Sequence, residues 1–195
     1  MKLEVLVEQH KQIRVIGFDD THHRGLPYLA PVNLAGVICS KTRFEGMVWG
    51  SIHKDGMDAT EQLISLVDKS KFAEQLHVIL LDGISFGGCN IVDIQEVHQR
   101  LGLPVATLMR RQPNMERFHY VIDKLPEPEQ RKRLIDLAGT IHELRGFFFQ
   151  VAGEEPEIMA RVLENLTDQG KVPEALRLAH LIGSAVMLGE SGKRA

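Results

Sequence analysis

Three features are scarce in this 195-residue sequence: cysteines, an excess of charge of one sign, and long apolar runs. Its two cysteines, Cys39 and Cys89, lack zinc-site spacing, and so few thiols are typical of a chain kept in a reducing cytosol. The formal net charge of -3 is not the basic balance expected of a general nucleic-acid binder, although it leaves room for a local basic groove. Because no apolar run approaches the length of a membrane span or a signal-peptide core, we expect a cytoplasmic protein without a membrane partner.

The composition that remains is that of a folded domain. With 44% hydrophobic and 25% charged residues, we expect residues 1–195 to form a single domain. Residues 127–138 have the pattern of a charged surface helix. We predict that a segment of about 123–155, which contains this helix, is an insertion or an edge extension of the domain.

The order of the strand and helix patterns predicts the fold. Residues 13–18, 32–40 and 43–53 have strand character and short connections, which predicts an antiparallel meander. Helical patterns then alternate with apolar runs at 78–81 and 104–109, and helical crossovers return such strands in parallel. This is the order of the ribonuclease-H-like α/β fold, a mixed five-stranded sheet flanked by helices. Phe147 to Phe149 favour a further pair of edge strands.

A carboxylate follows two of the predicted buried strands. Asp19 ends the first strand and Asp82 ends the fourth, and the ribonuclease-H-like arrangement makes these strands neighbours. Two facing carboxylates repel unless a cation lies between them, and Mg²⁺ or Mn²⁺ suits oxygen ligands. Such an ion can activate water and stabilise the leaving oxygen of a phosphodiester. The pair predicts a metal site, whereas either aspartate alone is also typical of a turn or a helix cap.

Asp58 is the candidate for a third carboxylate, since it precedes the helix that follows the third strand. Asp58 and Glu61 also match a capping box, in which the aspartate stabilises the helix by about 1 kcal/mol and needs no catalytic role. Both interpretations of Asp58 stay open on the sequence alone. For Glu61 the structural interpretation is favoured.

Longer motifs resemble those of a known family. They are GMDAT at 56–60, LLDGISFGG at 80–88, VDI at 92–94, MRR at 109–111 and RLAHLI at 177–182. In this order, and over nearly the full length, the chain is similar to the archaeal DUF99 family (UPF0215), endonuclease dU. A smaller set of positions around the two aspartates resembles endonuclease V.

The resemblance implies a Mg²⁺- or Mn²⁺-dependent endonuclease of DNA repair that cleaves DNA at or near deaminated bases, deoxyuridine in particular. It implies that Asp19 and Asp82 are metal ligands and that Asp58 stands in the place of the endonuclease V glutamate. It also implies catalytic roles for Arg110, which falls where endonuclease V has a lysine, and for His180 on the last helix.

The loop after the second aspartate differs from the Gly-x-Gly-x-x-His-Pro-Arg segment of endonuclease V. We hypothesise that Gly83, Gly87 and Gly88 line a pocket for an extruded base, because glycines let a backbone approach a base closely. A plain turn is the alternative. Arg111 is a candidate for contact with the DNA backbone, although scattered basic residues usually form a solvated face.

Two other functions fit the same sequence. One is a non-catalytic nucleic-acid- or protein-binding module on a degenerate nuclease fold, which should show no saturable effect of Mn²⁺ on its melting temperature. The other is a metal-dependent enzyme acting on small nucleotides or phosphate esters. The sequence predicts neither the oligomeric state nor the choice between DNA and RNA.

Overall fold

The computed structural model describes residues 2–21 and 23–191. The strands in these ranges are β1 (Arg14–Asp20), β2 (Pro31–Ser40), β3 (Arg43–His53), β4 (Val78–Asp82), β5 (Ser85–Phe86), β6 (Asn90–Ile91), β7 (Val105–Met109), β8 (His142–Leu144) and β9 (Phe147–Ala152). The helices are α1 (Leu3–Glu8), α2 (Ala59–Asp68), α3 (Ile94–Leu101), α4 (Met115–Ile122), α5 (Pro128–Leu137), α6 (Pro156–Asn165) and α7 (Glu174–Leu188), with a short 3-10 helix at Ala73–Gln75. None of the helices in this part of the chain combines the length and the apolarity that a bilayer crossing requires.

A mixed sheet of seven strands is the centre of the fold, in the order β3-β2-β1-β4-β7-β9-β8. The first three strands form the predicted antiparallel meander, while β4 runs parallel to both β1 and β7. The predicted α/β class and the mixed sheet flanked by helices are confirmed. The predicted count of five strands was too low, because β9 joins the edge of β7 and β8 pairs with β9. Phe147 and Phe149 of β9 are buried, and they anchor this extension in the core.

Two apolar layers cover the two faces of the sheet. On one face Ile16 and Phe18 of β1 pack with residues of α2, α3, α4 and α5. On the other face Val15 packs with residues of α1, α6 and α7. Because both faces are covered, the central strands are continuous apolar runs, as in β4, rather than alternating ones. Successive side chains of these strands therefore enter opposite layers, and the last residues of each strand alternate between the two faces in the same way.

Local details depart from the sequence-based expectations in three places. The helices α1 and α4 were not predicted from the sequence. The strands β5 and β6 form a small separate hairpin after β4. The predicted capping box of α2 is absent, since the Asp58 side chain accepts no hydrogen bond from that helix. Asn90 replaces it, and its Oδ1 accepts from the Ala59 N–H at 3.0 Å. The charged helix α5 is not a surface helix alone, because Arg131 and Ile135 are buried.

Candidate active site

The end of β1 carries a carboxylate to each face of the sheet. Successive side chains of a strand point to opposite faces, so Asp19 lies on the side of α7 and Asp20 on the other side. Phe18 of β1 pairs with Leu81 of β4, and both strands run in the same direction. Asp82, the next residue of β4, therefore lies beside Asp19 and on the same face. The register of two parallel strands thus brings two distant aspartates together.

A third group comes from α7, which packs directly on β1. Gly17 makes this approach possible, because a Cβ built there would lie 2.8 Å from the carbonyl carbon of Ala175. Ala175 and Ala179 are both fully buried at the same contact. As a result His180 reaches the strand end, and its Nδ1 lies 2.8 Å from Oδ2 of Asp19. Small residues on strand and helix are what position this imidazole.

Asp19, Asp82 and His180 form a compact cluster in which one ligand atom from each lies within 4.8 Å of the others. The pKa of Asp82 is raised to about 6, mainly by burial and also by the charge of Asp19, while Arg110 and His180 oppose the rise. The pKa of His180 is raised, mainly by its hydrogen bond with Asp19. Crowded, partly desolvated carboxylates are stabilised by a cation, so two carboxylates and an imidazole could hold a divalent metal ion. The carboxylates suit the predicted Mg²⁺ or Mn²⁺, whereas an imidazole is a donor that metals such as Zn²⁺ also use.

Arg110 lies at the mouth of this cluster, directly after β7. Its Nη2 is 3.7 Å from Oδ2 of Asp82, and its side chain is half exposed. The cluster opens into a cleft of about 550 Å³, to be called the acidic cleft, which Arg110 lines together with Asp20 and Ser184. A guanidinium in this position has donors left for an anionic group that enters the cleft.

The structure does not bring Asp58 to the acidic cluster. Its carboxylate accepts from the backbone N–H of His53 at 3.1 Å and lies 2.8 Å from Nδ1 of the His53 ring. It also accepts from Nδ2 of Asn90 at 2.7 Å. Burial would raise the pKa of Asp58, but these hydrogen bonds outweigh it and lower the pKa overall. Asp58 is therefore occupied in joining β3 to α2 and β6, and the third member of the cluster is His180. Glu61, as expected, makes an exposed ion pair with Arg100.

A second cavity, of about 730 Å³, adjoins the acidic cleft and is called the loop pocket here. The two cavities share four lining residues and are therefore neighbours, with His23, Arg24, Ser85 and Gly88 at their boundary. The far wall of the loop pocket is apolar and comes from α4 and α5, through Met115, Phe118, Val121 and Ile135. The near wall is the backbone of the glycine loop.

The three predicted pocket glycines are not equivalent. Gly83 and Gly88 line the loop pocket, and both have left-handed backbone angles, with φ of +88° and +100°. Gly87 is not on that wall: its N–H donates to Asp20, and a Cβ there would pack against side chains of β2 and β3. Arg111 is exposed and does not line either cavity. The binding roles of these residues stay predictions.

Two charged residues at the loop had no predicted role. Burial raises the pKa of Asp20 to about 6, although the hydrogen bond from Gly87 opposes that shift. The Asp19-Asp20 pair was a visible signal, because one of two successive carboxylates must enter the opposite layer. The second residue is Arg131 of α5, which is completely buried. Nothing in the sequence distinguishes it from Arg133 two positions later.

Comparison with known proteins shows the family of this chain. The family described as Endonuclease dU matches residues 11–187. The chain belongs to this endonuclease dU family. A UPF0215 protein of Archaeoglobus fulgidus is 37% identical over 186 residues, which cover 95% of this chain and 99% of the relative. A UPF0215 protein of Methanothermobacter thermautotrophicus is 38% identical over 190 residues, covering 92% and 90%.

Solved structures extend the comparison beyond the endonuclease dU family. A crystal structure of a protein of unknown function from Archaeoglobus fulgidus covers 89% of this chain and 98% of its own, with a TM-score of 0.84 and 36% identity. Endonuclease V of Ciona intestinalis, in complex with a 24mer DNA containing an inosine followed by a ribo-adenosine, has a TM-score of 0.56 at 15% identity, with 91% of each chain covered. At that identity the likeness shows a shared fold, which is the predicted ribonuclease-H-like one.

Proposed function

We propose that this endonuclease dU family member is a metal-dependent endonuclease that cleaves DNA at or near deaminated bases, deoxyuridine above all. The observation that carries the proposal is the adjacency of the two cavities. An acidic cleft suited to phosphodiester chemistry shares four lining residues, Ser85 and Gly88 among them, with a pocket large enough for a nucleobase. Family membership and the fold shared with a DNA-bound endonuclease V support it.

In this proposal Asp19, Asp82 and His180 hold a Mg²⁺ or Mn²⁺ ion, which when bound supplies an activated water and stabilises the leaving oxygen. Asp19 also fixes the ring orientation of His180, because it engages Nδ1 and leaves Nε2 free of that bond. Arg110 binds a non-bridging phosphate oxygen at the mouth of the cleft, where a fork of N–H donors suits a phosphate. Each of these residues comes from a different element, and they meet at the C-terminal ends of the central strands.

The loop pocket receives the base. Its volume falls within the roughly 300–1,000 Å³ of small-molecule sites, and its walls combine an apolar helical side with a polar backbone side. An extruded base needs such a site, since it is stacked on apolar groups and read by hydrogen bonds along its edge. Mismatched and deaminated bases cost least to extrude, which favours them as substrates.

The test is an incision assay on matched duplex and single-stranded oligonucleotides that carry uracil, hypoxanthine or no lesion, with Mg²⁺, with Mn²⁺ and with chelator. We expect cutting of the uracil strand that requires the metal and is lost in Asp82→Asn. Unchanged cutting in chelator, or by the Asp82→Asn protein, would overturn the proposal. Binding without cutting would favour the non-catalytic module, and activity on free nucleotides alone would favour the small-molecule enzyme.

A further inference from the structure

The wall between the acidic cleft and the loop pocket is fastened at its backbone. The Gly87 N–H donates to the Asp20 carboxylate, and the Gly87 carbonyl accepts from the Asp55 N–H at 2.9 Å. The Cys89 N–H donates to Oδ1 of Asp55 at 2.9 Å, and the Cys89 carbonyl accepts from Arg131. Both polar backbone groups of Gly87 and of Cys89 are therefore satisfied inside the protein. Gly88, between them, lines both cavities.

Arg131 is the fixed point of this arrangement. Its guanidinium is fully buried, and among the described residues it forms no ion pair with a carboxylate. Besides Cys89, it donates to the carbonyls of Pro126 at 2.9 Å, of Gly56 at 2.9 Å and of Asp55 at 2.7 Å. A buried cation is costly, and the hydrogen bonds of a charged donor to several carbonyl dipoles offset that cost. This geometry uses the planar fork of arginine, which lysine lacks.

Asp55 completes the connection between Arg131 and the loop. It is a non-glycine residue with a left-handed φ of +53°, a conformation that persists only where its surroundings impose it. Its N–H and carboxylate hold the loop, while its carbonyl is held by Arg131. The contact is tight, since a Cβ at Gly88 would collide with the Asp55 carboxylate. A displacement of Asp55 is therefore transmitted to the wall.

The same helix serves the opposite wall of the loop pocket. Ile135 lies one turn after Arg131 on α5, and it lines the apolar side of the cavity. Arg131 itself lines neither cavity. One rigid helix thus carries part of the far wall directly and holds the near wall through a guanidinium. The separation of the two walls depends on this link.

We propose that Arg131 is a positioning residue that sets the width of the loop pocket, and through it the discrimination between a deaminated base and a normal one. The proposal rests on the proposed function, because it assigns the specificity of that same site. It places the effect of Arg131 on base selection and not on the metal cluster, which is held by β1, β4 and α7.

The decisive variants are Arg131→Met, which removes the charge, and Arg131→Lys, which keeps the charge without the fork. Arg133→Met is the matched control, since Arg133 is exposed on the same helix. Incision of uracil-containing and undamaged oligonucleotides is measured under single-turnover conditions, together with the effect of Mn²⁺ on the melting temperature. We expect Arg131→Met to lower the uracil preference about tenfold or more and to retain the Mn²⁺ effect. Arg131→Lys should be intermediate and Arg133→Met unchanged.

An unchanged uracil preference in folded Arg131→Met would overturn the proposal. So would a parallel loss of the Mn²⁺ effect, because the residue would then support the whole fold or the cluster. Should Arg131→Met fail to fold, Arg131→Lys decides in the same way. Added methylguanidinium should restore the uracil preference of Arg131→Ala, because it replaces the missing guanidinium. It should leave the uracil preference of the control Arg133→Ala unchanged.

A separate readout distinguishes failure of this inference from failure of the proposed function. Wild-type protein that cuts no oligonucleotide would overturn the proposed function, and with it the role of Arg131 in base selection, but not the fastening of the wall by Arg131. The fastening is then tested by amide hydrogen exchange, which should accelerate at Gly87 and Cys89 in Arg131→Lys and stay unchanged in Arg133→Met. Equal protection in all three proteins would show that Arg131 does not hold the loop.

Discussion

The acidic cleft and the loop pocket share a boundary, yet they are stabilised in opposite ways. The cleft is made of side chains at the ends of regular elements. Its carboxylates are partly buried and lie close together, and both effects raise the pKa of Asp82. The pocket wall is irregular backbone whose polar groups are satisfied by Asp20, Asp55 and Arg131. The charges of the cleft are only partly paired, whereas the charges of the pocket wall are engaged in internal hydrogen bonds.

In the proposed function, this difference assigns the chemistry to the cleft and the base selectivity to the pocket wall. Crowded carboxylates attract a cation, and the half-exposed Arg110 guanidinium attracts a phosphate. Charge that is satisfied internally fixes geometry, so the wall keeps its shape with or without a ligand. Variants of the cleft should therefore affect the rate of cutting, and variants of the wall should affect which base is cut.

The largest effect is expected for Asp82→Asn in the cleft. Incision should fall about a hundredfold or more, and the Mn²⁺-induced rise in melting temperature should disappear. Without metal the variant should be no less stable than the wild type, because burial and the charge of Asp19 disfavour ionised Asp82. Incision rates and melting curves measure this, with exposed Asp136→Asn as control. A much lower melting temperature of Asp82→Asn without metal would contradict the unfavourable burial and repulsion of the Asp82 carboxylate.

The next largest effect belongs to the wall, in the pair Gly88→Ala and Gly83→Ala. Both glycines have left-handed angles, so each alanine costs about 1–2 kcal/mol of unfolding free energy. Only at Gly88 does the new Cβ also collide with Asp55, while at Gly83 it meets open space. Gly88→Ala should lose a further 1–3 kcal/mol, roughly, and much of its uracil preference. Equal behaviour of the two variants in denaturation and incision would count against a fastened wall.

A smaller effect is expected where α7 meets the sheet. Gly17→Ala should push α7 from β1 and lower the unfolding free energy by about 1–3 kcal/mol, because its Cβ meets backbone atoms of Ala175. Incision should fall as His180 moves from Asp19. In Gly183→Ala the Cβ would lie 3.3 Å from a methyl group of Thr21, and the helix gains propensity, so this control should be near neutral. Denaturant unfolding and incision of both proteins check the difference.

The smallest effect on cutting is expected for Asp58→Ala, outside both regions. It should lower the unfolding free energy by about 1–3 kcal/mol, through loss of its bonds to His53 and Asn90. The Mn²⁺ effect should remain. Because these bonds lower the pKa of Asp58, their contribution is present above about pH 4 and is lost as the pH falls through the folded-state pKa. Loss of the Mn²⁺ effect would instead return Asp58 to the metal site.

The fold was predictable because its main signals are local. Apolar runs covered on both faces, a short link between two strands and helical crossovers fix the order of the central sheet. The extra strands β8 and β9 were foreseen as an edge pair but not as members of that sheet, since edge pairing depends on the neighbour β7 and not on the strands' own pattern.

The candidate site was predictable only where strand register determines it. Asp19 and Asp82 lie together because β1 and β4 are parallel neighbours. Asp58 shows the limit, since a helix start and a metal ligand draw on the same residue type and only the position of Asn90 decides between them. Arg131 shows a deeper limit, because its partners are backbone carbonyls, and any sequence supplies those.

The contact between His180 and Asp19 spans 161 residues, and α7 is the last helix among the described residues. Synthesis runs from the N-terminus, so the β1 and β4 carboxylates leave the ribosome before the imidazole of α7. A growing chain therefore has no complete cluster until α7 has docked on Gly17. In the proposed function, only a chain whose α7 has docked can therefore cut DNA.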